Sequence, residues 1–433
     1  MIHFKSVKTM VSSLHHPSIA LISVHGDPAV DIGQEEAGGQ NVYVRQVGEA
    51  LARLGWSVEL FTRKANRHQS SVVEHAPNCR TVRLTAGVED FVPRDEIFDV
   101  LPAFVHQFLQ YQRQTGKTYE LVHTNYWLSS WVGMQLKQHQ PIQHLHTYHS
   151  VGAVKYRAVD VIPPIATTRL SIEKRCLETA ERVVATSPQE RDDLRSLVSP
   201  HGTIDIIPCG TDIHRFGHIT RQMARQHLGI PQDARVVFYV GRFDPRKGIE
   251  TLVRAVGQSH LRHDDRLRLI IGGGSRPGHS DGRERDRIEG IVRDLHIDQQ
   301  TYFPGRISDD DLPMYYAAAD VCVVPSHYEP FGLVAIESMA SSTPVIASDV
   351  GGLQFTVMSG ETGLLVPVKD DMGFAKAIDR IVSNPAWRDQ LGHAARNRVV
   401  DYFSWDGVAF QLDHLYRKLL AEAKTPHLNQ VGA

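Results

Sequence analysis

The sequence predicts an α/β protein built from two doubly wound domains that face each other across a cleft. Three observations predict it. Short apolar or β-branched runs of strand length alternate with helical patterns, as strands covered on both faces require. The alternation stops at a Pro/Gly break and then starts again. A chain of 433 residues has room for two or three domains of ordinary size.

In the first half the strand candidates are Ile19–Val24, Ser57–Thr62, Leu121–Thr124, His144–His149, Val183–Thr186 and Ile204–Ile207. Helical patterns separate them. In "GQNVYVRQVGEALARLG", Val42, Val44, Val47, Ala50, Leu51 and Leu54 share one stripe. The break falls in "IIPCGTDIHRFGHIT", at Pro208 and Gly210. Strand-like runs resume with "RVVFYVGR", "LRLIIGGG", "TYFPGR", "VCVVPS", "PVIASD" and "TGLLVP". From about Ser404 onward Val408, Leu412, Leu415 and Leu419 recur at helical spacing. The expected organisation is a Rossmann-like domain over 1–209 and a second over 210–403. A terminal helix over 404–433 is expected to pack back on the first domain.

Composition excludes several function classes. Formal net charge is -2, so no global field draws the chain to nucleic acid or anionic lipid. No apolar run reaches the length of about 18 residues that marks a membrane span. The four cysteines, Cys79, Cys176, Cys209 and Cys322, lie far apart with no Cys-x-x-Cys pair. That usage suits a reduced, cytoplasmic protein.

Ligands of doubly wound sheets bind beyond the carboxyl ends of strands, so residues there carry the functional reading. After the first strand, a polar loop ends in Gly38-Gly39-Gln40 at a helix start. It is either a ligand-facing turn with open amides or a plain glycine hinge. In "YVGRFDPRKGIETLV", Arg242 ends a strand and Lys247 precedes a helix. Two cations there suit a diphosphate; the alternative is a solvated cluster with Asp244 and Glu250. "HLHTYH" places His144 and His146 on one strand face, which reads as imidazoles bonded to backbone in preference to a metal site. His149 and Ser150, at that strand's end, are site candidates. "SDDDL" reads as Ser308 capping a helix in preference to a metal site.

"SHYEPFGLVAIESMASSTPVIASD" sets Glu329 in a loop, with Phe331, Gly332, Leu333 and Val334 beginning a helix and Glu337 one turn inside it. Open helix amides suit phosphate, and a carboxylate grips a vicinal diol. A nucleotide-sugar offers both features. A glycosidase carboxylate pair is the rival, and charges flanking a helix start are the structural alternative.

"GRFDPRKG", "EPFGLVAIE", "PVIASDVGG" and "GGQNVYV" together resemble the retaining nucleotide-sugar glycosyltransferases of family 4, which have the two-domain GT-B fold. The resemblance covers nearly the whole chain. "HGDP", "GGQNVYVRQ", "HTNYWLSSW" and "TYHSVGAVK" are similar to the sucrose-phosphate synthase branch. Sucrose synthases and inositol-phosphate N-acetylglucosaminyltransferases share parts of the pattern, and nucleotide-sugar 2-epimerases share the two-domain plan. The resemblance implies glucosyl transfer from UDP-glucose to fructose 6-phosphate, without a cofactor or metal. It implies Arg242 and Lys247 at the diphosphate and Glu337 at the ribose. Glu329, Phe331, Gly332 and Leu333 would contact the glucose, Val334 and Gly39 would also bind the donor, and His149 would lie near the glucose O6. Gly38, Gly39, Gln40, Arg94, Tyr126, Ser150, Lys155 and Arg169 would surround the acceptor, with Lys155 and Arg169 on its phosphate. Arg94 stands where the pattern expects lysine. Small molecules are the expected partners, and a separate sucrose-phosphate phosphatase is expected to take the product.

Overall fold

The computed structural model describes residues 17–30, 38–158 and 161–424. Part of the loop after the first strand, and residues 425–433 of the expected terminal helix, lie outside the described residues. The first half holds β1 (Ser18–Ile22), β2 (Ser57–Arg63), β3 (Val72–Ala76), β4 (Cys79–Leu84), β5 (Leu121–Asn125), β6 (Gln143–Thr147), β7 (Arg182–Ala185) and β8 (Ile204–Ile206). They form one sheet in the order β3-β4-β2-β1-β5-β6-β7-β8. Every neighbour is parallel except the β3–β4 pair.

The β3–β4 hairpin is not among the predicted strands. Glu74, His75, Arg80 and Arg83 are too polar to read as a covered strand. Pairing makes the burial tolerable. Arg83 Nε lies 2.7 Å from Asp27 Oδ2, and Arg80 Nη2 lies 2.6 Å from the buried Glu59 on β2.

The second half holds β9 (Arg235–Val240), β10 (Leu267–Gly272), β11 (Thr301–Gly305), β12 (Val321–Val324), β13 (Val345–Ser348) and β14 (Gly363–Val366). Their order is β11-β10-β9-β12-β13-β14, all parallel. Val236, Val237, Phe238, Val321, Val323, Val345 and Ile346 are fully buried. Each such side chain contributes roughly 1.5–3 kcal/mol by leaving water. The helix Gly39–Arg53 buries Tyr43, Val44, Val47, Ala50 and Leu51. Its stripe is shifted from the predicted one: Val42 is half-buried and Leu54, past the helix end, is 40% exposed.

The chain passes between the halves twice, side by side. The Thr211 amide donates to the Phe403 carbonyl at 2.7 Å, and a side chain on Gly210 would collide with the Trp405 ring. The helix Trp405–Lys424 then lies on the helix Gly39–Arg53. Trp56 Nε1 donates to Asp413 at 2.7 Å, and the Tyr416 hydroxyl meets His123 Nδ1 at 2.6 Å. One apolar cluster runs from Tyr43 and Val44 through Cys209 to Phe331, Ala335 and Trp405, joining both halves.

Candidate active site

In each sheet the strand order reverses at one strand. β1 has β2 on one side and β5 on the other, and β9 has β10 and β12. Crevices open beyond the carboxyl ends of such strands. Gly38–Gln40 and Arg242 follow those ends, Tyr126, His149 and Ser150 follow β5 and β6, and Glu329 follows β12.

On the first wall, β6 ends at Thr147, earlier than predicted, which frees His149 from the strand. His149 (φ 57) and Tyr126 (φ 72) are both left-handed, a conformation rare for such residues and concentrated at functional sites. His149 Nε2 bonds Asn125 Oδ1 at 2.9 Å and its ring meets the edge of Tyr43 at 4.8 Å. Burial lowers its pKa to about 3, so the ring is neutral. Gln40 Nε2 donates to Ser23 Oγ at 2.9 Å and to the Asn125 carbonyl at 3.4 Å. Gly38 stands at the helix start, its amide 3.2 Å from Asn41 Oδ1.

Behind Tyr126 sits a concentrated positive charge. Arg169 is 1% exposed. Its Nε donates to Glu173 at 2.7 Å, its Nη1 to the Tyr126 hydroxyl at 3.1 Å and its Nη2 to the Ser150 carbonyl at 2.6 Å. Arg169 therefore braces Tyr126 and Ser150 from behind. Arg94 lies 5.9 Å from the Tyr126 ring centre, and its Nε lies 3.9 Å from Asp95. Lys155 pairs with no carboxylate among the described residues. Burial, then the charges of Arg94, Arg169 and Arg246, lower its pKa to about 8. His25, 4.5 Å from the Tyr126 ring, is pushed well below the usual histidine range by burial, then by Arg94, His149, Arg169 and Lys155. Lys155 among these cations suits an anion with several acceptor oxygens.

On the second wall, Arg242 is exposed beyond β9, and among the described residues its guanidinium pairs with no carboxylate. A 3-10 turn Pro245–Lys247 follows, with Asp244 accepting from the Arg246 amide at 3.0 Å. Gly248 (φ 66) closes it; an added Cβ would sit 2.0 Å from the Pro325 carbonyl oxygen, so only glycine fits. Lys247 Nζ meets Glu329 Oε2 at 2.6 Å. The "VGG" stretch holds the Glu329 loop, with the Gly352 amide donating to the Glu329 carbonyl at 3.0 Å. The helix is Leu333–Ala340, with Gly332 (φ 95) at its start. Phe331 thus precedes the helix and is buried against Phe403, a correction to the predicted start. Leu333 and Val334 are half-buried. Glu337 accepts from the Tyr316 hydroxyl at 2.8 Å, and burial raises its pKa to about 7.

The two walls meet where the helix start at Gly39 faces Leu333. A Cβ on Gly39 would lie 2.7 Å from Leu333 Cδ1. Two further readings are corrected. His144 Nε2 and His146 Nδ1 share the Thr124 side-chain hydroxyl, at 2.7 and 2.9 Å, where backbone partners were expected. Ser308 accepts from the Asp311 amide at 3.1 Å in a turn ahead of the helix Leu312–Ala318, which it does not cap. His25, Arg246 and Tyr328 were missed although they adjoin flagged motifs. Asn125 immediately precedes Tyr126, whereas Tyr316 and Glu173 gave no signal before the chain was folded.

Residues 38–210 match the glycosyl transferase 4-like domain, and residues 220–398 match the glycosyl transferases group 1 family. The chain is 35% identical over 411 residues to a D-inositol 3-phosphate glycosyltransferase of Corynebacterium aurimucosum, covering 92% of this chain and 95% of that one. The chain belongs to the family-4 glycosyltransferases. This GT-B hexosyltransferase is also similar to a solved sucrose-phosphate synthase from Thermosynechococcus elongatus, at 53% identity and TM-score 0.86, covering 94% of this chain and 100% of that one. The Anabaena protein HepE, solved with UDP and glucose, shares the glycosyltransferase's fold at 18% identity and TM-score 0.73, over 93% of this chain and 100% of that one.

Proposed function

We propose that this glycosyltransferase moves the glucosyl group of UDP-glucose onto the anomeric hydroxyl of fructose 6-phosphate, giving sucrose 6-phosphate and UDP. One observation carries the reading: Lys155 and Arg94, backed by the buried Arg169, form one cationic corner, and Arg242 and Lys247 with Glu329 form a second. Two separated cationic corners suit two separate phosphate groups, one on each substrate. The similarity to a sucrose-phosphate synthase at 53% identity favours fructose 6-phosphate as the acceptor.

On this reading the donor diphosphate takes the Glu329 carboxylate's place at Lys247, while Arg242 meets it as a fork. The open amides at Leu333 and Val334 add a positive helix end. Glu329, released, accepts from glucose hydroxyls beside Phe331 and Gly332, and Glu337 accepts from the ribose diol. Neutral His149 meets the sugar at O6. Gly38, Gly39 and Gln40 shape the acceptor side beside Tyr126 and Ser150, and Lys155 with Arg94 holds its phosphate. Arg169 acts through Tyr126 and Ser150.

The C1–O bond to the diphosphate breaks and a C1–O bond to fructose forms on the same face, so configuration is retained. The acceptor proton passes to the leaving phosphate oxygen, and no protein nucleophile or cofactor is required. The protein's part is alignment and stabilisation of the departing charge. The four cysteines are free and buried, which suits a cytoplasmic setting. No described helix is long and apolar enough to cross a membrane. A separate phosphatase would remove the product's phosphate.

A second reading has an inositol phosphate as acceptor, favoured by the 35% identity to D-inositol 3-phosphate glycosyltransferases. Crossing UDP-, ADP- and GDP-glucose, and UDP-N-acetylglucosamine, with fructose, fructose 6-phosphate and inositol 3-phosphate separates the readings. The proposed function requires the highest kcat/KM with UDP-glucose and fructose 6-phosphate. Preference for free fructose would indicate a sucrose synthase, and turnover of UDP-N-acetylglucosamine without acceptor an epimerase.

A further inference from the structure

We infer that Arg246, carried by the second wall, is a direct ligand of the acceptor's phosphate, so that this phosphate is gripped from both sides of the cleft. The inference rests on the proposed reading that the acceptor is phosphorylated. Arg246 follows β9 in the donor half, yet its surroundings are those of the acceptor site. Asp244 holds one edge of its guanidinium, with Oδ1 3.0 Å from Nε and Oδ2 2.5 Å from Nη2. The Nη1 donors are bonded to no group among the described residues. The fork is therefore positioned, with one end still available.

Its backbone is tied to the loop after β12, whose Tyr328 reaches the opposite wall. The His327 amide donates to the Arg246 carbonyl at 2.8 Å. The next residue, Tyr328, reaches across so that its hydroxyl meets the Ser150 side chain and the Val151 backbone. The Val151 carbonyl accepts from the Lys155 amide at 2.9 Å, closing the short helical turn Gly152–Lys155. Arg246 and Lys155 thus flank one contact, and the Arg246 charge is felt at Lys155. A dianionic phosphate between them replaces repulsion with two charge-assisted bonds. Arg246 and Lys247 share one 3-10 turn. That turn would read the acceptor's phosphate with one residue and the donor's diphosphate with the next, setting the two substrates in register.

The test compares Arg246→Gln, Arg246→Lys and Lys155→Gln with the wild type, on fructose 6-phosphate and on free fructose, with UDP-glucose as donor. Arg246→Gln is expected to lose roughly ten- to hundredfold in kcat/KM for fructose 6-phosphate, the scale of one charged hydrogen bond. Its kcat/KM with free fructose and its KM for UDP-glucose stay within about threefold of wild type. Lys155→Gln shows the same selective loss, and Arg246→Lys recovers most of it. An equal loss on both acceptors, a raised donor KM, or no loss overturns the role of Arg246 and leaves the proposed function standing. Wild type that uses no phosphorylated acceptor overturns both.

Discussion

Lys247 Nζ and Glu329 Oε2 lie 2.6 Å apart, joining the turn after β9 to the loop after β12. They are 82 positions apart in the chain. Ser326 adds a hydroxyl 3.3 Å from the same carboxylate oxygen. On the proposed reading an incoming phosphate oxygen takes this carboxylate's place, so donor binding exchanges one anion for another and frees Glu329 for the sugar.

Lys247→Ala should therefore remove a leaving-group contact. Losing one such electrostatic donor costs about 10²–10³ in kcat. The pair is partly exposed, so its loss should change stability by only about 0–1 kcal/mol. Steady-state kinetics and thermal melting of one preparation check both; near-normal turnover removes Lys247 from this role.

Glu337 predicts an acidic limb. Its pKa is raised to about 7, chiefly by burial, and only the ionised form offers both oxygens as acceptors to a ribose diol. The free-enzyme kcat/KM for the donor should rise with pH through about 7 and level off above it. Glu337→Gln should be weak and flat over that range. The linked stability has the opposite sign. A carboxylate whose folded pKa is raised stabilises the fold below its unfolded pKa, and that contribution is lost as pH rises towards about 7.

Lys155 predicts an alkaline limb. With its pKa lowered to about 8, it loses its charge as pH rises through that value. The kcat/KM for a phosphorylated acceptor should fall above about pH 8, and Lys155→Arg should abolish the fall. An unchanged limb in that variant would place the titration on another group.

Gly248 tests the scaffold under the cations. Its φ of 66 and the Pro325 carbonyl leave no room for a Cβ. Gly248→Ala should destabilise by at least about 1–3 kcal/mol and weaken donor binding, because the turn bearing Lys247 must shift. Denaturant melts and UDP titration read the two effects.

Most of the covered strands were legible because each is a short apolar run, and β9 and β12 end at the motifs that carry Arg242, Lys247 and Glu329. The β3–β4 hairpin was not, since its buried Arg83 and half-buried Arg80 are satisfied by Asp27 and Glu59 from elsewhere in the chain. The partnerships inside the site were equally hidden. Nothing near Glu337 points to Tyr316, and nothing in "TTRLSIEK" shows that Arg169 turns inward to Glu173. The shortened strand β6 and the left-handed Tyr126 and His149 depend on tertiary packing that local propensity does not encode.

The account is tested most directly by mixing the protein with UDP-glucose and fructose 6-phosphate and following the anomeric signals by NMR. It predicts one α-linked sucrose 6-phosphate for each UDP released. UDP release only with an inositol phosphate, a β-linked product, or no transfer to fructose 6-phosphate would contradict it.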